Sequence, residues 1–117
     1  MDDFFKILDC EAQADGSYSC TISINPGHEI FRGHFPGRPV VPGVMTLMMT
    51  RRCAERARGL GKTRIASVKD AKYVAPIVPD GGDVVVSLTV DDELNVRADV
   101  RSAKGDTYTR LRMQLCN

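Results

Sequence analysis

Residues 33–43 read GHFPGRPVVPG and place one of the chain's two histidines among three glycines and three prolines. Proline fixes φ near one value and glycine permits conformations that other residues avoid, so this segment predicts a rigid, tightly turned loop. Rigid loops that present a titratable side chain are common positions for chemistry. His34 is therefore a candidate functional residue. The structural alternative, a proline-rich connection in which His34 only caps or packs, stays open at this point.

The sequence after this loop has the spacing of an amphipathic helix. Apolar side chains recur three or four positions apart from Val44 to Leu60 and cover most of the first half of the segment. The second half, RRCAERARG at 51–59, is amphipathic, and Gly59 and Gly61 are suitable C-terminal caps. We predict one helix over residues 44–60 with a buried N-terminal half.

Alternating apolar residues on both sides of this helix predict β-strands. The candidate strands, two before the loop and four after the helix, are 4–13, 18–24, 64–77, 83–90, 94–101 and 107–115. One helix and a long, mostly antiparallel sheet share a core only if the sheet curls around the helix. The sequence predicts a single α+β domain over residues 1–117.

The composition argues against several classes of function. The 117 residues include 16 basic and 15 acidic side chains, and a formal charge of +1 gives no global attraction to nucleic acid. No apolar run is long enough to insert across a membrane, and the acidic N-terminus lacks the pattern of a secretory signal. A domain this small needs a second wall for a bulky substrate, so we expect a site at a dimer interface. We expect a cytoplasmic protein.

Four cysteines, Cys10, Cys20, Cys53 and Cys116, lie far apart in the sequence without CxxC spacing or a neighbouring histidine. This pattern argues against a zinc or redox site. We expect reduced, half-buried thiols, and no cofactor is indicated.

Two longer segments resemble the FabZ/FabA-type 3-hydroxyacyl-[acyl-carrier-protein] dehydratases. FRGHFPGRPVVPGVMTL at 31–47 is similar to the signature of this family, and ASVKDAKYVAPIVPDGGDVVVSLTV at 66–90 is similar to the stretch after its central helix. The resemblance implies a hot-dog fold, in which a curved antiparallel sheet of about six strands wraps a long central helix. It also implies a dimer with active sites at the interface. The implied reaction removes water from 3-hydroxyacyl thioesters of acyl carrier protein, giving trans-2-enoyl thioesters in fatty-acid or specialised lipid and polyene synthesis.

The resemblance also assigns roles to particular positions. The catalytic histidine of the family corresponds to His34, and a neutral imidazole near the α carbon is a suitable base for this elimination. The backbone N–H that receives the thioester carbonyl corresponds to Gly43, at a helix N-terminus whose free N–H groups carry partial positive charge. We assign Phe35, Val44 and Met48 to substrate binding.

One catalytic position departs from the family. Its acidic residue, a Glu or Asp on the first turns of the helix, corresponds to Met48, and a thioether cannot donate a proton to the leaving hydroxyl. General acid catalysis contributes roughly 10²–10⁴-fold, so we expect a slower reaction unless another group acts. His34 acting alone, first as base and then as acid, is the first alternative. Glu55 is on the same helical face but about 10 Å further along, which is too far for a direct replacement. Glu29 and His28 before the loop could approach the site, and we expect Asp70 to face solvent.

The second half of the predicted helix and the residues after it are basic. Six cations and one acid lie between positions 51 and 64. This excess of positive charge suits the docking of an acidic acyl carrier protein, and we assign partner binding to Arg51, Arg52, Arg56 and Arg58. A solvated helix face is the alternative. Similarly, Met45, Met48 and Met49 either line an acyl tunnel or form plain core.

Three functions are compatible with these residues. The first is a dehydratase acting on acyl-carrier-protein thioesters, as a homodimer or a higher oligomer of dimers. The second is a non-catalytic acyl-binding subunit or heterodimer partner, since Met48 removes the family's acid. The third is a thioesterase on the same fold, although thioesterases of this fold usually rely on a carboxylate and do not carry the GHFPG loop.

Overall fold

The computed structural model describes residues 3–33, 37–80 and 82–117. Its helices and strands, in chain order, are β1 Phe5–Ala12, β2 Tyr18–Ile24, α1 Ile30–Gly33, α2 Gly43–Arg58, β3 Arg64–Tyr73, β4 Val84–Val90, β5 Asn95–Ser102 and β6 Thr107–Cys116. The strands form one antiparallel sheet in the order β1-β2-β4-β5-β6-β3, and α2 packs against it. The predicted α+β hot-dog architecture is confirmed.

The core lies between α2 and the inner face of the sheet. On α2, fully buried side chains recur four positions apart at Met45, Met49 and Cys53, each at most 1% exposed, because one face of a helix repeats every three to four residues. On β2, β4, β5 and β6 the buried residues alternate, most clearly along β4. Met45 and Met49 are therefore core residues, as the plain packing alternative predicts.

Most element boundaries lie within one or two residues of the predicted ones, and two larger differences occur. β3 ends at Tyr73 instead of residue 77, because the amides of Val74 and Ala75 both donate to the Tyr108 carbonyl and the chain leaves the regular ladder. The short helix α1 occupies part of the predicted loop. α2 ends at Arg58, two residues before the predicted end, and Gly59, one of the two predicted caps, closes it in the left-handed conformation at φ 61°.

The prediction of reduced cysteines is wrong for one pair. Cys10 and Cys20 face each other on β1 and β2, with Cα atoms 4.0 Å apart, and form a disulfide. The hairpin register brings them together, and the sequence spacing alone does not contain that register. Cys53 and Cys116 are free thiols. Disulfides are uncommon in reducing compartments, and the cytoplasmic location stays a prediction.

Membrane-spanning helices and metal-binding clusters are both absent from residues 3–33, 37–80 and 82–117. None of the helices there is long and apolar enough to cross a membrane. The same residues contain no cluster of three or more His, Cys, Asp or Glu side chains that could hold a metal ion.

Candidate active site

The candidate site is built at the N-terminal end of α2. Pro42 precedes the helix in an extended conformation, with φ −60° and ψ 144°, and contributes no side-chain cap. Its carbonyl accepts hydrogen bonds from the amides of Met45 and Thr46. The amides of Gly43 and Val44 have no acceptor among the described residues. Free N–H groups at a helix N-terminus carry partial positive charge and stabilise a developing oxyanion.

Two of the predicted site residues, His34 and Phe35, lie outside the described residues. The chain on both sides of them is placed: α1 ends at Gly33, and the Val41 amide donates to the Ile77 carbonyl at 2.8 Å. This bond ties the segment before α2 to the β3–β4 connection. Val41, two residues before α2, is therefore anchored to the β3–β4 connection beside the helix start.

Tyr73, at the end of β3, covers the first residue of α2. Its hydroxyl donates a hydrogen bond to the Gly43 carbonyl at 3.1 Å. A Cβ atom at position 43 would lie 2.9 Å from both Cζ and Oη of Tyr73, so only glycine fits unless the ring moves. Burial raises the pKa of Tyr73, which keeps its hydroxyl protonated as a donor. Sequence reasoning missed this residue, because only the fold brings position 73 to position 43.

An open cleft of about 510 Å³ lies beside this contact. It runs between the segment before α2 and the β3–β4 connection, and Val40, Val74, Ile77 and Thr109 are among its lining residues. Clefts with mostly apolar walls and a few polar groups are typical of small-molecule sites. The geometry can hold an apolar chain with a polar end directed at the free amides of the helix.

Val44 and Met48 lie one turn apart on the same face of α2. Val44 is 65% exposed at the helix start. Met48 is half-buried and packs against the core. Together they extend an apolar surface from the N-terminal end of the helix, and position 48 supplies no titratable group.

Glu55, which the sequence offers as a replacement acid, has a structural role. Its carboxylate accepts hydrogen bonds from the Thr63 amide at 2.7 Å and from the Thr63 hydroxyl at 2.8 Å. Arg51 lies 3.4 Å away and also donates to the Thr63 carbonyl at 2.6 Å. These bonds fasten α2 to the start of β3, about 18 Å of helix from Gly43.

The remaining candidates for a replacement acid or base are not among the residues that line the cleft. His28 accepts a hydrogen bond on Nδ1 from the backbone amide two residues later, and its Nε2 lies 3.2 Å from Asp3. Asp70 accepts a hydrogen bond from Arg112 Nε at 2.8 Å on the sheet surface, and Glu29 is exposed before α1. Within the described ranges, none of them has a hydrogen bond or ion pair to the start of α2.

All four predicted docking arginines have partners within the fold, and two of them, Arg51 and Arg58, are also half-buried. Arg51 takes part in the Thr63 bonds described above. Arg58 donates to the Val90 carbonyl and lies 3.5 Å from Asp92, which connects the end of α2 to the β4–β5 turn. Their side chains are 18% and 28% exposed. Both arginines therefore stabilise the fold and present little charge to a partner.

The other two, Arg52 and Arg56, line an exposed groove between α2 and β1. The groove has a volume of about 740 Å³ and includes Lys6, Phe5 and Ile7. Arg52 places its guanidinium carbon 5.8 Å from the centre of the Phe5 ring, and Arg56 donates to the Ile7 carbonyl at 3.1 Å. The one acid in the lining is the carboxylate bound to Thr63. Three cations thus border an apolar strip, and Lys6 joins them from a distant part of the sequence.

Comparison with known proteins identifies the family. The family model "ApeI dehydratase", of the ApeI-like group, matches residues 10–111. This chain belongs to the ApeI-like dehydratase family. The match includes the GHFPG loop, α2 and residues 66–90. It confirms, together with the relatives below, the resemblance to the FabZ-type dehydratases.

Two sequences similar to this ApeI-like chain are FabZ dehydratases. Over 81 residues it is 35% identical to the 3-hydroxyacyl-[acyl-carrier-protein] dehydratase FabZ of Levilactobacillus brevis, covering 64% of this chain and 53% of that protein. Over 118 residues it is 28% identical to the FabZ of Campylobacter fetus, covering 89% of this chain and 72% of that protein. The chain thus spans about half the length of the first relative.

A solved structure has the same fold. The dehydratase heterocomplex ApeI:P from Xenorhabdus doucetiae superposes with a TM-score of 0.73 at 23% identity, covering 96% of this chain and 97% of that one. At this level of identity the likeness concerns the fold.

Proposed function

We propose that this protein eliminates water from 3-hydroxyacyl thioesters of acyl carrier protein and forms trans-2-enoyl thioesters. The observation that carries the proposal is the free backbone amide at the start of α2, in a chain that belongs to a dehydratase family. There the Gly43 amide has no acceptor among the described residues, and an apolar cleft adjoins it. The thioester carbonyl would accept from this amide, and the acyl chain would occupy the cleft.

The proposed mechanism uses one titratable side chain. The His34 imidazole removes the proton from the α carbon, and the negative charge that develops on the thioester oxygen is stabilised by the Gly43 N–H. The imidazolium then returns the proton to the β-hydroxyl, which leaves as water while the double bond forms. Met48 gives no acid assistance, so the rate should be lower by roughly 10²–10⁴-fold than with a carboxylic acid at this position.

The direct test is enoyl formation from a 3-hydroxyacyl carrier protein by the purified chain. His34→Ala should abolish turnover, and Met48→Glu should raise it by roughly 10²–10⁴-fold. Met48→Leu is the matched control, since it keeps an apolar side chain of similar volume and should turn over as the wild type does. Turnover that survives His34→Ala would contradict the single-histidine mechanism.

A non-catalytic subunit is the second candidate, and two observations favour it. Met48 lacks the proton chemistry of the family's acid, and the solved relative from Xenorhabdus doucetiae is a heterocomplex by its description. No turnover by the wild type, combined with a strong gain in Met48→Glu, would favour this candidate over the enzyme. The chain would then contribute acyl binding and an interface to an active partner.

We propose that a homologous chain, either a second copy or a related subunit, pairs along β3. β3 is a sheet edge whose only strand neighbour among the described residues is β6. Unpaired backbone groups at an edge can continue the sheet into another chain. Val68 and Val74 next to this edge are 41% and 55% exposed, so pairing would also cover apolar surface.

Light scattering after gel filtration tests this arrangement. Val68→Lys should shift the dimer towards monomer, whereas Leu8→Lys on the opposite edge strand, where Leu8 is 45% exposed, should not. A wild-type monomer that also fails to pair with a related dehydratase subunit would contradict the proposal.

We further propose that the groove formed by Lys6, Arg52 and Arg56 receives the acidic carrier protein. Its three cations attract an acidic surface, and its apolar strip offers area to bury. Lys6→Glu should slow association with the carrier protein by about tenfold at low salt. Lys104→Glu, the same change in the exposed β5–β6 turn, is the control. If both substitutions slowed association equally in surface plasmon resonance, the groove would contribute only general charge attraction and would not be a docking site.

A further inference from the structure

The outer face of the sheet carries positive charge that the proposed function does not use. The antiparallel register of β5 and β6 places Arg97 directly opposite Arg112. Side chains that face each other in this way lie about 5 Å apart at Cβ, and like charges there repel. A negative partner would therefore stabilise each of the two guanidinium groups.

Only one of the two has such a partner within the described ranges. Asp70 lies opposite Arg112 on β3, accepts a hydrogen bond from its Nε at 2.8 Å and raises its pKa. The exposed Arg97 side chain has no hydrogen bond or ion pair in the residues that the structure describes. Its other cross-strand neighbour is Thr89, which carries a hydroxyl and no charge. The guanidinium donors of Arg97 are thus available to an external acceptor.

These side chains line a shallow pocket of about 400 Å³, which we call the Arg97 pocket. Lys69 completes it from the side of β3. The β3–β6 register is interrupted between Val68 and Asp70, so Lys69 is the extra residue of a β-bulge, and bulges redirect the side chain of the extra residue. Cations from β3, β5 and β6 and the Thr89 hydroxyl therefore meet in one pocket.

One acid, Asp91, also lines the Arg97 pocket. Its carboxylate oxygens accept hydrogen bonds from the amides of Glu93 and Asn95, at 3.0 and 2.8 Å, and from the Asn95 side chain at 3.0 Å. These bonds commit Asp91 to the β4–β5 turn. Even with Asp70 bound to Arg112, three cations face two acids, and the pocket keeps a positive charge.

We propose that the Arg97 pocket binds a phosphate group carried by a small phosphorylated compound. The planar guanidinium of Arg97 can donate to two phosphate oxygens at once. Lys69 and Thr89 approach from other strands, which suits the several oxygens of a tetrahedral dianion better than one flat carboxylate. The pocket shares no lining residue with the cleft at the start of α2, so it constitutes a separate site.

The test is an NMR titration of the ¹⁵N-labelled full chain with inorganic phosphate, with sodium chloride holding the ionic strength constant. Saturable shifts are expected for amides around Lys69, Arg97 and Arg112. Arg97→Gln should weaken binding by about tenfold and Thr89→Ala by about threefold. Arg101→Gln is the matched control, because it removes the same charge from the same strand at a residue outside the pocket.

Three outcomes overturn the proposal. Shifts that grow without saturation, or an equal loss in Arg97→Gln and Arg101→Gln, indicate diffuse charge screening instead of a site. If Arg97→Gln does not fold, Arg97→Lys and Thr89→Ala decide, since both keep the surface charge, and wild-type affinity in both refutes the pocket. The titration reports binding on the outer face, so its result does not depend on whether the chain is an active dehydratase.

Discussion

The two ends of α2 are built in opposite ways. At the C-terminal end, Gly59 closes the helix with a left-handed cap, and the Glu55 carboxylate holds Thr63 and Arg51 in one hydrogen-bonded network. At the N-terminal end no side chain caps the helix, and in the part of the chain that is described the Gly43 amide has no acceptor. The closed end stabilises the fold, whereas the open end keeps hydrogen-bonding capacity for a ligand.

Glu55→Ala should have the largest effect on stability, because it removes the centre of the closed end. The Thr63 amide and hydroxyl lose their acceptor. The Arg51 guanidinium, on a side chain only 18% exposed, keeps its bond to the Thr63 carbonyl but loses its negative partner. Leaving a largely buried charge and a buried amide unpaired should lower the free energy of unfolding by roughly 3 kcal/mol. Urea denaturation near neutral pH measures the change.

Glu55→Gln is the matched control for this prediction. Its amide oxygen can still accept from Thr63, but it no longer neutralises Arg51, so we expect about half the loss. A loss below about 0.5 kcal/mol in Glu55→Ala would mean that the network does not close this end of the helix.

Apolar periodicity is sufficient to place α2, β2, β4, β5 and β6, because burial of one face repeats along these elements. β1 and β3 have no fully buried residue, so this signal is weaker there. Apolar periodicity does not predict the contacts that depend on which strands pair and in which register. Cys10 and Cys20 meet only through the β1–β2 register, and Tyr73 reaches Gly43 only because the end of β3 lies beside the start of α2. Reasoning from the sequence therefore misses the disulfide and the aromatic side chain over the helix start.

Charge patterns are a poorer guide to the site than the loop motif. The segment from Arg51 to Arg64 is basic, yet Arg51 and Arg58 donate to backbone carbonyls inside the fold, while Lys6 joins the groove from β1. The partners of long side chains are set by tertiary structure, which a count of charges lacks. The motif at 33–43 depends instead on backbone conformations that glycine and proline restrict locally, and it indicates the family directly.

A smaller effect on stability, one that depends on pH, is expected from Cys53, which is fully buried in the C-terminal half of α2. Burial raises the pKa of its thiol from 9.0 to about 12, against a weaker opposing influence of Arg56 and Arg52. Between these values the unfolded chain loses the proton and the folded chain keeps it, so stability falls as pH rises. The slope for one such group is about 1.4 kcal/mol per pH unit.

Urea denaturation between about pH 8 and pH 10.5 measures this slope as the difference between the wild type and Cys53→Ala. Cys53→Ala should remove the Cys53 contribution, whereas Cys116→Ala, at the other free thiol, should behave as the wild type does. Parallel curves for the wild type and Cys53→Ala above pH 9 would contradict the prediction.

Gly43→Ala tests the open end and should have the smallest effect on stability. The added Cβ lies 2.9 Å from Cζ and Oη of Tyr73, but these atoms form the tip of a flexible side chain. The ring can therefore swing away with the loss of its hydrogen bond to the Gly43 carbonyl, at a cost of about 1 kcal/mol. In a Tyr73→Ala background the same substitution should be neutral or slightly stabilising, because alanine restricts the unfolded chain more than glycine does.

A double-mutant cycle from urea midpoints isolates the coupling between positions 43 and 73. An equal cost of Gly43→Ala in both backgrounds would show that the Tyr73 ring is not what requires glycine. If the coupling is present, a second measurement, the binding of an acyl thioester, distinguishes the roles of the two ends of α2. Glu55→Ala should weaken the fold and leave binding by the folded chain intact. Gly43→Ala should leave the fold nearly intact and weaken binding. The Tyr73 ring lines the cleft, and once displaced it would occupy part of the space that the acyl chain needs.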